Sequence, residues 1–149
     1  MKRFRFRLDR VLQLRENAED EAARAVAAAR SDAEAAAAEA SAAEKALLHA
    51  VAQASEMAQA TTAGVLAVMR FSLENARTRT RLAAEARLQA EQQLERALAA
   101  WQVARADRQA LDKLKTQRHE AWVADANRAE QADIDDVALR SAAAREERR

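Results

Sequence analysis

Residues 22–57 read AARAVAAARSDAEAAAAEASAAEKALLHAVAQASEM. Alanine recurs there at spacings of four and three, the repeat of a helix that keeps one face against a neighbour. Followed outward, one series runs Leu8, Arg15, Ala22, Ala29, Ala36, Ala43, Ala50, Met57, and the interleaved one runs Leu12, Glu19, Val26, Ala33, Ala40, Leu47, Ala54, Thr61. Of these 16 positions 13 are apolar, which makes a heptad seam about eight repeats long. Arg15 and Glu19 interrupt it at neighbouring positions. Methyl groups form most of its core, so a partner helix can approach near the lower end of the usual range of about 8–10 Å. Each layer then buries little apolar area, and stability must accumulate along a long contact.

The whole composition agrees with this reading. The chain has 149 residues, no proline, no cysteine, no tyrosine and a single glycine, Gly64. Its 50% hydrophobic content consists of 43 alanines and only 31 larger apolar residues, too few for a compact core of ordinary size. A sheet protein is excluded, because turns need Gly, Pro or Asn and strands need β-branched and aromatic side chains. Ala, Glu, Lys, Leu and Arg fill 97 positions, the composition of long helices and coiled coils. With 25 basic and 24 acidic residues the charges nearly cancel. Helix is therefore favoured over disorder, and a protein that coats nucleic acid, which needs many unopposed Lys and Arg, is disfavoured.

The plausible reversal is Ala60-Thr61-Thr62-Ala63-Gly64, where glycine can supply a positive φ and Thr61 or Thr62 can cap the next helix. A second seam follows at Ala83, Ala90, Ala97, Ala104 and Leu111, with Leu94 and Trp101 interleaved and with breaks at Arg108, Lys115 and Arg118. Two matching seams predict an all-α fold, a long two-helix antiparallel coiled-coil hairpin forming one domain over residues 1–149. The expected helices run from about 4 to 60 and from about 65 to 145 around a turn at about 61–64. A turn centred near residue 63 makes the numbers of facing residues add to about 126. Trp101 then lies near Val26, Phe71 near Met57, and Trp122 near Phe4 and Phe6. At about 1.5 Å per residue the first helix would run roughly 80 Å and the second roughly 120 Å, leaving a C-terminal helical overhang.

Charge is segregated along the chain. Residues 2–15 carry a net +5, residues 16–60 a net −6 and residues 61–149 a net +2. The opening arginines, Arg3, Arg5, Arg7 and Arg10, could steer an acidic partner, touch a membrane surface or simply form a solvated rim. Phe4, Phe6 and Trp122 could cap the open end of the coil or contact a partner there. No metal, cofactor, small-molecule or nucleic-acid site is expected. His49 and His119 would stand tens of ångströms apart along the hairpin, the adjacent pairs Asp135-Asp136 and Glu146-Glu147 point in different directions on a helix, and one glycine cannot make a phosphate-cradling loop. A non-enzymatic protein is expected. The charged first ten residues have no apolar stretch behind them, and the longest uncharged run, 57–69, is too short to span a bilayer. A soluble, cytoplasmic protein is the expectation, and the lack of cysteine fits a reducing compartment.

The opening FRFRLDRVLQLRE, residues 4–16, resembles the start of the flagellar export protein family FliJ. The run over residues 97–140, which includes ALAAW, LDKLKTQRHEAW and NRAEQADIDDVALR, is similar to the same family. The matching positions are Trp101, Arg128, Gln131, Asp135, Asp136 and Arg140. The resemblance implies an antiparallel α-hairpin like the stalk of rotary ATPases, acting in the flagellar type III export apparatus as a stalk and general chaperone. It implies an open end, with both termini, that enters the hexameric export ATPase FliI. It further implies contact with the export-gate protein FlhA, with substrate-specific export chaperones, and with the inner membrane only peripherally, at the flagellar base. On this basis Arg3, Phe4, Arg5, Phe6, Arg7, Arg10, Trp122, Arg128, Gln131, Asp135, Asp136 and Arg140 are expected at the ATPase. Leu47, Leu48 and Phe71, towards the hairpin tip, are expected at the gate. The equivalent stalk of a virulence type III secretion system, or a basic-ended coil that binds anionic membranes, would account for the same residues.

Overall fold

The computed structural model describes residues 4–57 and 62–146, with side chains as far as residue 140. Two antiparallel helices account for nearly all of them: α1, Asp9–Met57, and α2, Ala63–Glu146. No strand occurs among the described residues. The cross-helix pairs Arg15 with Asp107, Asp9 with Lys115, and Ala43 with Thr80 all add to within about four of the register expected from the seams.

α1 begins at Asp9, later than the expected start near residue 4. The Asp9 N–H donates to the Phe6 carbonyl at 3.3 Å and the Leu12 N–H to that of Leu8 at 2.8 Å. Basic side chains oppose the positive end of a helix dipole whereas Asp9 complements it, and Phe6 leaves the helical path to bury itself to 9% exposure. At the other junction Thr62 directly precedes α2 and its carbonyl receives the Leu66 N–H at 3.2 Å. Gly64 does not supply the expected positive φ. No described glycine has one, and Gly64 is the second residue of α2, a conformation open to glycine at about 1 kcal/mol relative to alanine. Ala60 and Thr61 of the expected reversal, with residues 58–59 of the expected first helix, lie outside the described residues.

The chain divides into two compact units, Met1–Ala18 with Ala104–Arg149, and Glu19–Val103. Within Glu19–Val103 the seam is an alanine one: Ala40, Ala43 and Ala83 form the buried cluster, and Ala22, Val26, Ala29, Ala36, Ala50, Ala90, Leu94 and Trp101 are half-buried beside it. A buried methyl contributes about 0.8 kcal/mol, so no single layer dominates. The Thr80 hydroxyl stands 3.0 Å from the Ala76 carbonyl oxygen and 3.2 Å from that of Ala43 across the seam. Its one proton can serve either acceptor. Arg79 and Glu39 pair across the edge at 3.5 Å.

In the unit that joins the start of α1 to the C-terminal part of α2, the seam becomes polar. Arg15 pairs with Asp107 at 3.1 Å and Lys115 with Asp9 at 2.8 Å, while Arg108 bonds to Asp112 one turn on along α2. Three of the basic seam breaks, Arg15 in α1 and Arg108 and Lys115 in α2, are thus answered by carboxylates, two of which lie on the opposite helix. Leu12 and Phe6 are the buried apolar side chains here.

Candidate partner-binding surfaces

Around the start of the chain, aromatic side chains from both segments meet. Phe4 stands edge-on to His119 with ring centroids 5.1 Å apart, and 6.0 Å from Trp122; His119 and Trp122 are 6.2 Å apart. His119 and Trp122 are one turn apart on α2, which puts both rings on the side where Phe4 arrives. Phe6 lies beneath them in sequence and against the Lys115 ammonium, 5.9 Å from its ring centroid. The hydrogen bond to Asp9 holds the Lys115 pKa above the usual lysine value, with a smaller opposing effect of desolvation.

Of these residues Phe4, Phe6 and Trp122 line an open groove of about 860 Å³. Arg5, Arg7 and Arg118 stand on its rim with Asp125, and Leu8, Leu114 and Ala121 extend its apolar lining. The groove therefore offers ring surface and three positive charges in one place. Such a site suits a protein segment with apolar anchors and acidic flanks, because aromatic and arginine side chains are the ones that most often carry interface energy.

Of the residues expected at the open end, Phe4, Arg5, Phe6, Arg7 and Trp122 come together in this groove. Arg10 is exposed on the first turn of α1, and Arg3 lies outside the described residues. The other five sit further along α2, in a stretch, residues 127–140, that is exposed throughout. There Arg128 bonds to Asp125 at 2.6 Å, Gln131 to Asp135 at 2.9 Å and Arg140 to Asp136 at 2.5 Å. Pairs at this spacing hold an exposed helix together by a few tenths of a kcal/mol each.

Leu114, Arg118 and Asp125 also line the groove, and His119 stands beside it against Phe4 and Trp122; the sequence does not single these out as site residues. Arg118 reads there as a seam break, yet its place one turn before Trp122 is the signal that puts it on this side of α2. His119 reads as a lone histidine, and only the arrival of Phe4 gives it a role.

In the Glu19–Val103 unit the three residues expected towards the tip divide. Leu47 is half-buried on the seam. Leu48 and Phe71 are 69% and 70% exposed, and Val51 and Val68 are exposed with them. Single exposed apolar side chains are ordinary on a protein surface, whereas a contiguous group of them suits a partner.

Among the described residues no cluster of His, Cys, Asp or Glu could hold a metal ion, and no helix is long and apolar enough to cross a membrane. Residues 4–147 match the family model described as Flagellar FliJ protein. No curated protein and no solved structure matches the chain.

Proposed function

The chain belongs to the flagellar FliJ protein family, whose model covers residues 4–147, and from that premise we propose that it is a non-catalytic stalk between the export ATPase FliI and the export-gate protein FlhA. Membership makes it a component of the flagellar export apparatus. The finer reading is carried by the groove: Phe4, Phe6 and Trp122 form an aromatic floor beside Arg5, Arg7 and Arg118, so one surface supplies both apolar anchorage and charge. A ring-shaped ATPase that receives this end gains contacts without any chemistry from the stalk. Arg10, Arg128, Gln131, Asp135, Asp136 and Arg140 add polar contacts around it. The exposed pair Leu48 and Phe71, with Leu47 beside them, serves the gate, and empty export chaperones dock on the same protein. Its place of work is the cytoplasmic side of the inner membrane at the flagellar base.

Two measurements on the full chain test this. Added to purified FliI, it should raise the rate of ATP hydrolysis and the fraction of hexamer. Immobilised, it should retain the cytosolic fragment of FlhA. A chain that neither stimulates FliI nor retains FlhA does not have this function.

A further inference from the structure

α2 carries a second repeat that α1 leaves uncovered. Lys115, His119 and Trp122 meet the incoming segment through Asp9 and Phe4. The residues immediately before them, Leu114, Arg118 and Ala121, lie about 100° round the helix from them and line the groove. The same four-and-three spacing then continues through Asp125, Arg128, Ala132 and Asp135 to Leu139. Every member from Arg118 onward is exposed, Leu139 by 71%.

We propose that this face is the interface of a symmetric antiparallel dimer formed by two copies of the chain. The argument is charge complementarity of the face with itself. With a two-fold axis passing between Ala126 and Asn127, Leu114 lies opposite the second copy's Leu139, Arg118 opposite its Asp135, Ala121 opposite its Ala132, and Asp125 opposite its Arg128. Each contact recurs by symmetry, as an interface between identical surfaces requires. Leucines close both ends, and alanines allow close approach between the charged layers. At the axis, the Arg128 and Asp125 that already bond at 2.6 Å within one helix meet the same two groups of the second copy, giving a ring of alternating charge.

Competing arrangements are penalised. A parallel pair sets Arg118 on Arg118 and Asp125 on Asp125. An antiparallel pair slipped by one heptad sets Arg118 against Arg128 in one direction and Asp125 against Asp135 in the other. Like charges held together in this way select against wrong registers. The dimer goes beyond the stalk reading and competes with it: it covers Leu114, Arg118, Ala121 and Asp125 of the groove together with Arg128 and Asp135, so a second copy and the ATPase would exclude one another there.

Sedimentation equilibrium of the full chain tests the proposal. At low ionic strength the mass should rise from 16.4 kDa to twice that value with concentration, and added salt should return it towards the monomer as the exposed pairs are screened. Arg118→Asp should abolish the dimer with helicity unchanged, and Arg118→Asp with Asp135→Arg should restore it. Because the chain has no cysteine, Ala121→Cys and Ala132→Cys can be mixed under oxidation: the mixture should cross-link and neither variant alone should. A monomer at every concentration, a dimer indifferent to Arg118→Asp, a double variant that stays monomeric, or cross-linking of either cysteine variant by itself would each overturn the proposal.

Discussion

Gly64 occupies the first turn of α2 with helical backbone, and a Cβ built on it meets nothing within 4 Å. Glycine there retains its entropic cost without using its conformational freedom. Gly64→Ala should therefore stabilise the chain by about 0.5–1 kcal/mol, read as a rise in the midpoint of thermal unfolding. A fall would mean that the junction uses the glycine in a way the helical geometry does not reveal. Lys115 gives a residue-scale test with the opposite character. Its pKa is raised in the folded chain by the Asp9 hydrogen bond, so the stabilisation is fully present below the usual lysine value and is lost as pH rises through the folded one. Comparing Lys115→Met with the wild type across pH, the difference in stability should hold at neutral pH and disappear above the lysine range.

At the scale of elements, the seam between α1 and α2 is narrow because Ala40, Ala43 and Ala83 meet there almost without exposure. Ala43→Leu inserts a side chain where no space exists and also pushes against the Thr80 hydroxyl that stands 3.2 Å from the Ala43 carbonyl. The expected loss is about 1–3 kcal/mol, measured by urea unfolding, whereas Ala42→Leu on the exposed face should change little. This seam was legible in the sequence because burial follows the heptad and the heptad is written in alanine. The register was legible too, since the large residues Phe4 and Trp122 meet as the matched seams require. What escaped was set by contacts distant in sequence. Nothing local says that Phe6 would turn inward and delay α1 to Asp9, nor that Lys115 would be held by a carboxylate more than a hundred residues away. Gly64 reads as a turn residue because glycine is a strong local punctuator, yet a single glycine is also tolerated within a helix, and its neighbours Ala63 and Leu66 are good enough helix formers to absorb it.

For the molecule as a whole, the two candidate surfaces belong to different compact units, which makes them separable by mutation. Trp122→Ala should weaken FliI stimulation, with an affinity loss of about thirtyfold if the ring anchors the contact at about 2 kcal/mol, and leave FlhA retention intact. Phe71→Ala should do the reverse. Loss of both activities in either variant would mean that the surfaces are not independent. The charge segregation, net +5 over residues 2–15 against −6 over residues 16–60, adds long-range steering that should fade with salt. The alanine seam also has a calorimetric consequence. Unfolding heat capacity grows with the apolar area newly exposed to water and is reduced by polar area. A chain with no large side chain fully buried among its described residues exposes little new hydrocarbon while releasing long stretches of peptide group. Its heat-capacity increment should fall below the usual value of about 12–15 cal/mol/K per residue, so that its stability curve is flat, with an enthalpy nearly constant over the temperatures at which the organism lives.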